Sequence, residues 1–210
     1  MCSSDLTVRL AGLDLPSTEQ ASAARAALDS LVAGRPVTLR RLGPDSDRHG
    51  RLLAEVAVDD ISVQVRLLAL GQARVAGRLG DAACILEWLQ AERSARAAGL
   101  GLWGDPHYVI REAEQPDKVL AERGRFTLVE GKVLSVRESG GTIYVNFGRR
   151  WSDDFTATVR KRDERAFAAA GLVLKALSGR HVRVRGVIEE RGGPWIEVSR
   201  PEQIEIAERN

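Results

Sequence analysis

Two arginines in this 210-residue chain stand where residue type and context suit the handling of phosphate. Arg9 lies in an otherwise apolar stretch, Val8-Arg-Leu-Ala-Gly-Leu13, just ahead of Asp14. Arg51 follows Asp47-Arg-His-Gly50 and opens a second apolar stretch. Cleaving a phosphodiester requires neutralised phosphoryl oxygens, a deprotonated water and a stabilised leaving oxygen. Arginine serves the first and the last, because its planar fork matches phosphate bidentately and keeps its charge. A carboxylate serves the second, by taking a proton or by holding a hard cation that acidifies the water. The same residues also admit a plain structural reading. Arg9 is then a solvated residue on an edge strand, and Arg51 a partner of Asp47 or Glu55 in an exposed pair worth little.

The elements that position these residues follow from pattern. Residues 7–13 read as a strand that ends in a turn at Asp14-Leu-Pro16, since proline cannot donate to a continuing ladder. Ser17 followed by Gln20 forms a capping box ahead of an alanine-rich helix over 18–33, closed by Gly34. Residues 36–42 alternate as a half-buried strand, 43–50 form a loop, and 51–58 form the next strand. A helix over 62–70 stops at Gly71, a short extended piece covers 72–76, and an amphipathic helix over 81–98 turns Ile85, Leu86, Trp88 and Leu89 toward a core.

After Trp103 the character changes. Pro106, Pro116 and unpatterned charge mark 105–123 as a linker or wrapping segment. From Phe126 onward the pattern gives strands at 126–137, 142–147, 154–160, 181–190 and 194–199, with a helix at 163–170 and hairpin turns at Gly140-Gly141 and Gly192-Gly193. Five strands with a helix between the third and fourth is the element order of an oligonucleotide-binding barrel. Val182-Arg-Val-Arg-Gly-Val-Ile188 and Gly193-Pro-Trp-Ile-Glu-Val198 resemble small bacterial nucleic-acid-binding barrels.

Composition is that of a globular protein, 44% hydrophobic and 29% charged, with a net charge of +2 and a pI near 8.7. This permits a nucleic-acid partner without requiring one. No apolar run approaches the roughly 18 residues of a membrane helix. Met1-Cys-Ser-Ser-Asp5 has neither the basic start nor the apolar run of an export signal. Cys2 and Cys84 form no metal-spaced pair, and Cys84 reads as a small buried residue on a helix.

Four segments, in order, carry a family resemblance. Arg9-Leu-Ala-Gly-Leu-Asp-Leu-Pro16 is similar to the staphylococcal nuclease motif R-L-x-x-x-D-T-P-E, and Asp47-Arg-His-Gly-Arg51 to its D-K/R-Y-G-R. Leu67-Leu-Ala-Leu-Gly-Gln-Ala-Arg-Val75 looks like the family's helix-to-strand segment, and Glu92 to Trp103 like its closing helix and tryptophan. The resemblance covers residues 6–104 and, with the element order of the second half, gives an α+β chain of two tandem oligonucleotide-binding-type barrels. The first is a nuclease-type barrel with three helices over 6–104, and the second spans 124–208.

The resemblance further implies calcium-dependent hydrolysis of DNA or RNA, single-stranded in particular, or a catalytically degenerate nucleic-acid-binding or protein-interaction module. In this reading Arg9 contacts the scissile phosphate, Arg51 stabilises the transition state and leaving group, Asp14 is a calcium ligand, and Arg48 and His49 contact substrate. Departures are specific. Leu15 replaces a threonine beside the metal aspartate, Ser17 replaces the glutamate base, and Gly77 and Leu79 stand where two tyrosines pack on the nucleotide. A family hairpin containing a second calcium aspartate has no counterpart, so the chain is either a barrel lacking two strands or, as the cost of an unpaired strand edge favours, a fragment of a longer product whose leader would also carry any export signal. Activity is accordingly expected to be weak.

In the second half, Lys132, Arg137, Arg149, Arg150, Arg160, Lys161 and Arg162 form an uneven basic set. With Tyr144, or with Trp151 after Arg149-Arg150, they suit a single-strand groove. Tyr144 and Phe147 are three apart and point to opposite faces of a regular strand, so one at most is free to stack. A purely structural barrel accounts for these residues equally.

Overall fold

The computed structural model describes residues 6–16, 21–47, 49–76, 82–150 and 152–207. The chain is mixed α+β and divides into two compact units, Met1–Tyr108 and Val109–Asn210. The expected capping box at Ser17–Gln20, and the positions of Cys2, Arg48, Gly77, Leu79 and Trp151, lie outside the described residues.

In the first unit the apolar stretch at Arg9 forms β1 (Val8–Leu10), turns at Gly12, and continues as β2 (Leu13–Asp14). Next come α1 (Ala21–Val32), β3 (Thr38–Ser46), β4 (Leu52–Val58), β5 (Ile61–Ser62), α2 (Val63–Ala69), β6 (Arg74–Val75) and α3 (Ala82–Ala97). β4 is central: β1 runs parallel to it on one side, β3 antiparallel on the other, and β5 folds back on its end. β2 and β6 form a separate antiparallel pair. Strict alternation along β4 sends Leu52, Ala54, Val56 and Val58 inward. There Val56 and Val58 share a core with Val63, Leu67 and Leu68 of α2 and Ile85, Trp88 and Leu89 of α3. Gln64 is fully buried in α2 and bridges to β4, donating to the Ala54 carbonyl (3.1 Å) and accepting from the Val56 amide (3.1 Å).

Leu86, expected in the core, is 66% exposed. Ile85, Trp88, Leu89 and Glu92 already fill the i, i+3, i+4, i+7 stripe, and Leu86 sits about 100° round the helix from Ile85. Beyond α3 the chain returns to the end of α2, where the Leu102 amide donates to the Gly71 carbonyl (2.8 Å). The two backbones touch. A Cβ on Gly71 would lie 2.1 Å from the Leu100 carbonyl oxygen, and one on Gly101 would lie 2.4 Å from that of Gly71. Only glycine fits at either place.

The second unit holds two sheets. One contains β7 (Arg111–Glu112), β8 (Phe126–Lys132), β12 (His181–Val187) and β15 (Ile204–Ile206), in the order β15-β12-β8-β7. The other contains β9 (Ser135–Ser139), β10 (Thr142–Asn146), β11 (Thr156–Arg160), β13 (Glu189–Arg191) and β14 (Gly193–Val198), in the order β13-β14-β11-β10-β9. Among the described residues the ladders form two sheets rather than one closed barrel. The strand expected over 126–137 breaks at a corner: the Val133 amide bonds to Arg180 beside the first sheet, and the next amide, Leu134, bonds to Asn146 of the second. The strand expected over 181–190 turns the same way at Ile188, between β12 and β13. The segment read as a linker is built into this unit. β7 pairs with β8, α4 (Pro116–Leu120) follows, and Ala113 and Val119 lie in the core. α5 (Glu164–Ala169) places Phe167 in that core.

The outer side of the four-stranded sheet carries a row of charge. His181 and Arg183 on β12 face Glu130 of β8, and Arg185, fully buried, is paired with Glu205 of β15. No helix among the described residues is long and apolar enough to cross a membrane.

Candidate active site

β1 and β4 run side by side with Arg9 opposite Leu53, and Leu52 donates to the Thr7 carbonyl (2.9 Å). Arg51 immediately precedes β4, two residues from Leu53, so Arg9 and Arg51 share one face of the ladder. Strand spacing and rise put their backbones about 8 Å apart, within the span of two guanidinium groups on one phosphate. Glu55 continues that row and is held by Arg40 of β3, whose Nη2 also lies 2.8 Å from the Cys84 sulfur of α3. Cys84 is thus half-buried against a guanidinium rather than enclosed in the core.

Arg51 is oriented by its own turn. Asp47 Oδ2 accepts from Arg51 Nε (2.8 Å) and Nη2 (2.7 Å), while Oδ1 accepts the backbone amides of His49 (2.9 Å) and Arg51 (3.0 Å). The Gly50 amide closes the turn onto the Asp47 carbonyl (2.8 Å). Of the two partners open to Arg51 in the sequence, Asp47 takes it and Glu55 goes to Arg40. The Arg51 side chain, followed by the backbone amides, holds the Asp47 carboxyl far below the usual carboxylate range. A lowered pKa means a contribution that is present above the unfolded value and lost as pH falls through the folded one. The Asp47 carboxylate carbon is therefore expected to keep its ionised NMR shift below pH 3.8, where an ordinary aspartate is half protonated. A midpoint at or above that pH removes the argument that this turn presets Arg51. His49 is exposed beside this turn.

Asp14 is placed differently. It lies directly opposite Arg74 in the β2–β6 pair, and its Oδ2 accepts both Arg74 Nε (3.0 Å) and Nη2 (2.7 Å). Arg74 is buried and lies over the Tyr108 ring, 5.0 Å from its centroid. Burial raises the Asp14 carboxyl above its usual value, against the opposing pull of Arg74. Beside this pair stands Glu92 of α3, fully buried, accepting the Val75 amide (2.6 Å) at Oε2 and Arg96 Nη1 (3.1 Å) at Oε1. Arg96 in turn lies 5.4 Å from the Trp103 ring centroid.

Arg74 and Glu92 were not singled out by sequence reasoning. The signals were there: one arginine inside Ala73-Arg-Val75, and a glutamate on the same stripe as Ile85, Trp88 and Leu89 with an arginine four residues on. Among the described residues no three His, Cys, Asp or Glu side chains gather as a cation would require. With Asp14 engaged by Arg74, and the neighbouring Glu92 by the Val75 amide and Arg96, the described residues do not fit a calcium ion.

Residues 7–105 match the family described as staphylococcal nuclease homologue. A Haemophilus influenzae protein named as an uncharacterized endonuclease is 32% identical over 102 residues, which are 48% of this chain and 54% of that protein. The chain thus spans about half the length of the curated relative it matches.

Proposed function

We propose that the staphylococcal nuclease-like domain formed by residues 7–105 hydrolyses phosphodiester bonds of DNA or RNA, slowly, through Arg9 and Arg51. The observation that supports this most is the placement of two arginines on one face of adjacent strands, one of them set by a dedicated carboxylate turn. In this reading the phosphoryl group lies across both guanidinium groups. Arg9 neutralises a non-bridging oxygen of the ground state, and Arg51 meets the charge that builds on the phosphoryl and leaving oxygens. Because Asp47 fixes Arg51 before substrate arrives, little reorganisation is required at the transition state. In this reading Arg48 and His49, the two residues after Asp47 in sequence, contact the nucleotide.

Calcium dependence rests on the resemblance alone, and no step above passes through a metal. The same holds for the proton acceptor, since Ser17, which stands at the base position, lies outside the described residues. Lacking a glutamate at the base position costs about 10²–10⁴-fold in rate, which is why slow turnover is expected.

The test uses the purified chain with end-labelled single-stranded DNA and RNA, in calcium and in chelator. Products that appear only in calcium support the full family chemistry. Products in both support an arginine-driven reaction without a resident cation. An intact substrate under every condition sinks the hydrolytic reading. The Asp14–Arg74 pair specifically favours a second reading, a binding module in which an internal guanidinium occupies the aspartate. Salt-weakened binding without cleavage would establish it.

A further inference from the structure

The five-stranded sheet of the second unit has an inner side of Ile143, Val145, Ala157, Val159, Ile196 and Val198, all in the core. Its other side is aromatic and cationic. Ladder register puts Tyr144 and Glu197 on either side of Thr158, and Asn146 and Trp195 on either side of Thr156. Tyr144 and Trp195 meet diagonally across β11, ring centroids 5.9 Å apart at 84°, and the two threonines beneath are buried to 3% exposure. Arg191 of β13 lies over the Trp195 ring at 5.0 Å. Arg137 pairs across from Tyr144 on β9.

At the end of the sheet nearest Asn146 and Thr156, the turn after Phe147 carries Arg149 and Arg150, both exposed. It is closed by Asp154, which accepts the Arg150 amide and donates its own amide to the Arg150 carbonyl, each at 2.7 Å. Beneath it Phe147 packs on Phe155 at 4.9 Å, so Phe147 belongs to the core and Tyr144 to the outer side.

From this arrangement we infer that the outer face of the five-stranded sheet binds single-stranded nucleic acid, with bases stacking on Tyr144 and on the Arg191–Trp195 layer and the backbone tracking Arg137, Arg149 and Arg150. The inference rests on the reading of the chain as acting on nucleic acid, but on a different unit. Charge favours a polyanion. Glu189 and Glu197 are each paired with arginine, and Arg137 and Arg149 have no ion-pair partner among the described residues. Aromatic rings accept any base, and a guanidinium plane stacks on bases as well as pairing with phosphate. A duplex hides its base faces and gains only the electrostatic part.

The test is fluorescence anisotropy of the full chain with a labelled 20-residue oligothymidylate in chelator, the oligonucleotide checked to be intact afterwards. Tyr144→Ala is expected to weaken binding about 5-fold or more, while Tyr144→Phe, which keeps the ring, stays within about twofold. Arg137→Glu with Arg149→Glu is expected to weaken it about 10-fold and to flatten the salt dependence by about one to two charges. Binding with no cleavage in any variant leaves this inference standing and overturns only the hydrolytic reading. The inference is overturned if the parent does not bind, if the charge reversals bind like the parent, if Tyr144→Phe loses as much as Tyr144→Ala, or if a duplex of equal length binds as tightly.

Discussion

Arg51→Ala is expected to lower the cleavage rate about 10²–10³-fold, the cost of removing one preorganised donor from a transition-state charge. The reason is specific to the turn. Asp47 holds two nitrogens of the Arg51 fork and two backbone amides, so the guanidinium is fixed before substrate binds. Arg51→Lys keeps the charge but loses the fork and the grip of Asp47, and should recover less than about 10-fold of that loss. Arg9→Ala acts in the same direction, and the double variant should be little worse than either alone, because groups serving one phosphoryl are not additive. The measurement is single-turnover cleavage of a labelled oligonucleotide, with melting temperature as the control for folding. Cleavage by Arg51→Ala within threefold of the parent would exclude this arginine from the chemistry.

The second large effect is on stability. Glu92→Ala should destabilise the first unit by about 3–5 kcal/mol, the range for removing one member of a buried charged pair. Glu92 is fully buried, and alanine removes the carboxylate that accepts from the Val75 amide and from the Arg96 guanidinium. Because Val75 belongs to β6 and Glu92 to α3, the loss also loosens the strand that carries Arg74. Glu92→Gln keeps an acceptor and should cost less, about 1–3 kcal/mol. Urea unfolding followed by tryptophan fluorescence separates the two. Equal midpoints for parent and Glu92→Ala would show that this carboxylate contributes nothing to the fold.

Much of the architecture was legible in the sequence where one period governs one element. Alternation over Leu52–Val58 and the stripe of Ile85, Trp88 and Leu89 each describe a single buried face and formed as read, Leu86 excepted. The failures occur where two environments share one pattern. The residues from Phe126 to Arg137 read as one continuous strand although Val133 and Leu134 bond to different sheets, because apolar residues stand on both sides of the corner. Arg111 to Leu120 looks like a linker because its burial rests on Ala113 and Val119 alone amid charge. At the site, the motif arginines were visible as residue types, and Asp47 was one of two partners open to Arg51. That Asp14 would be claimed by Arg74, sixty residues away, depends on β2 meeting β6 in register. Local pattern does not encode that register.

The contact between Gly71 and Gly101 bears on where the domain ends. It closes a loop of about thirty residues that contains β6 and α3, and with them Arg74 and Glu92. Closing such a loop carries an entropic cost that rises only slowly with length, so the loop itself tolerates variation while its clasp does not. The working boundary of the domain is therefore set by backbone packing after α3 rather than by the last residue with chemical function. A fragment cut at Ala98 would retain every charged group of the site and lose the clasp that keeps β6 against β2.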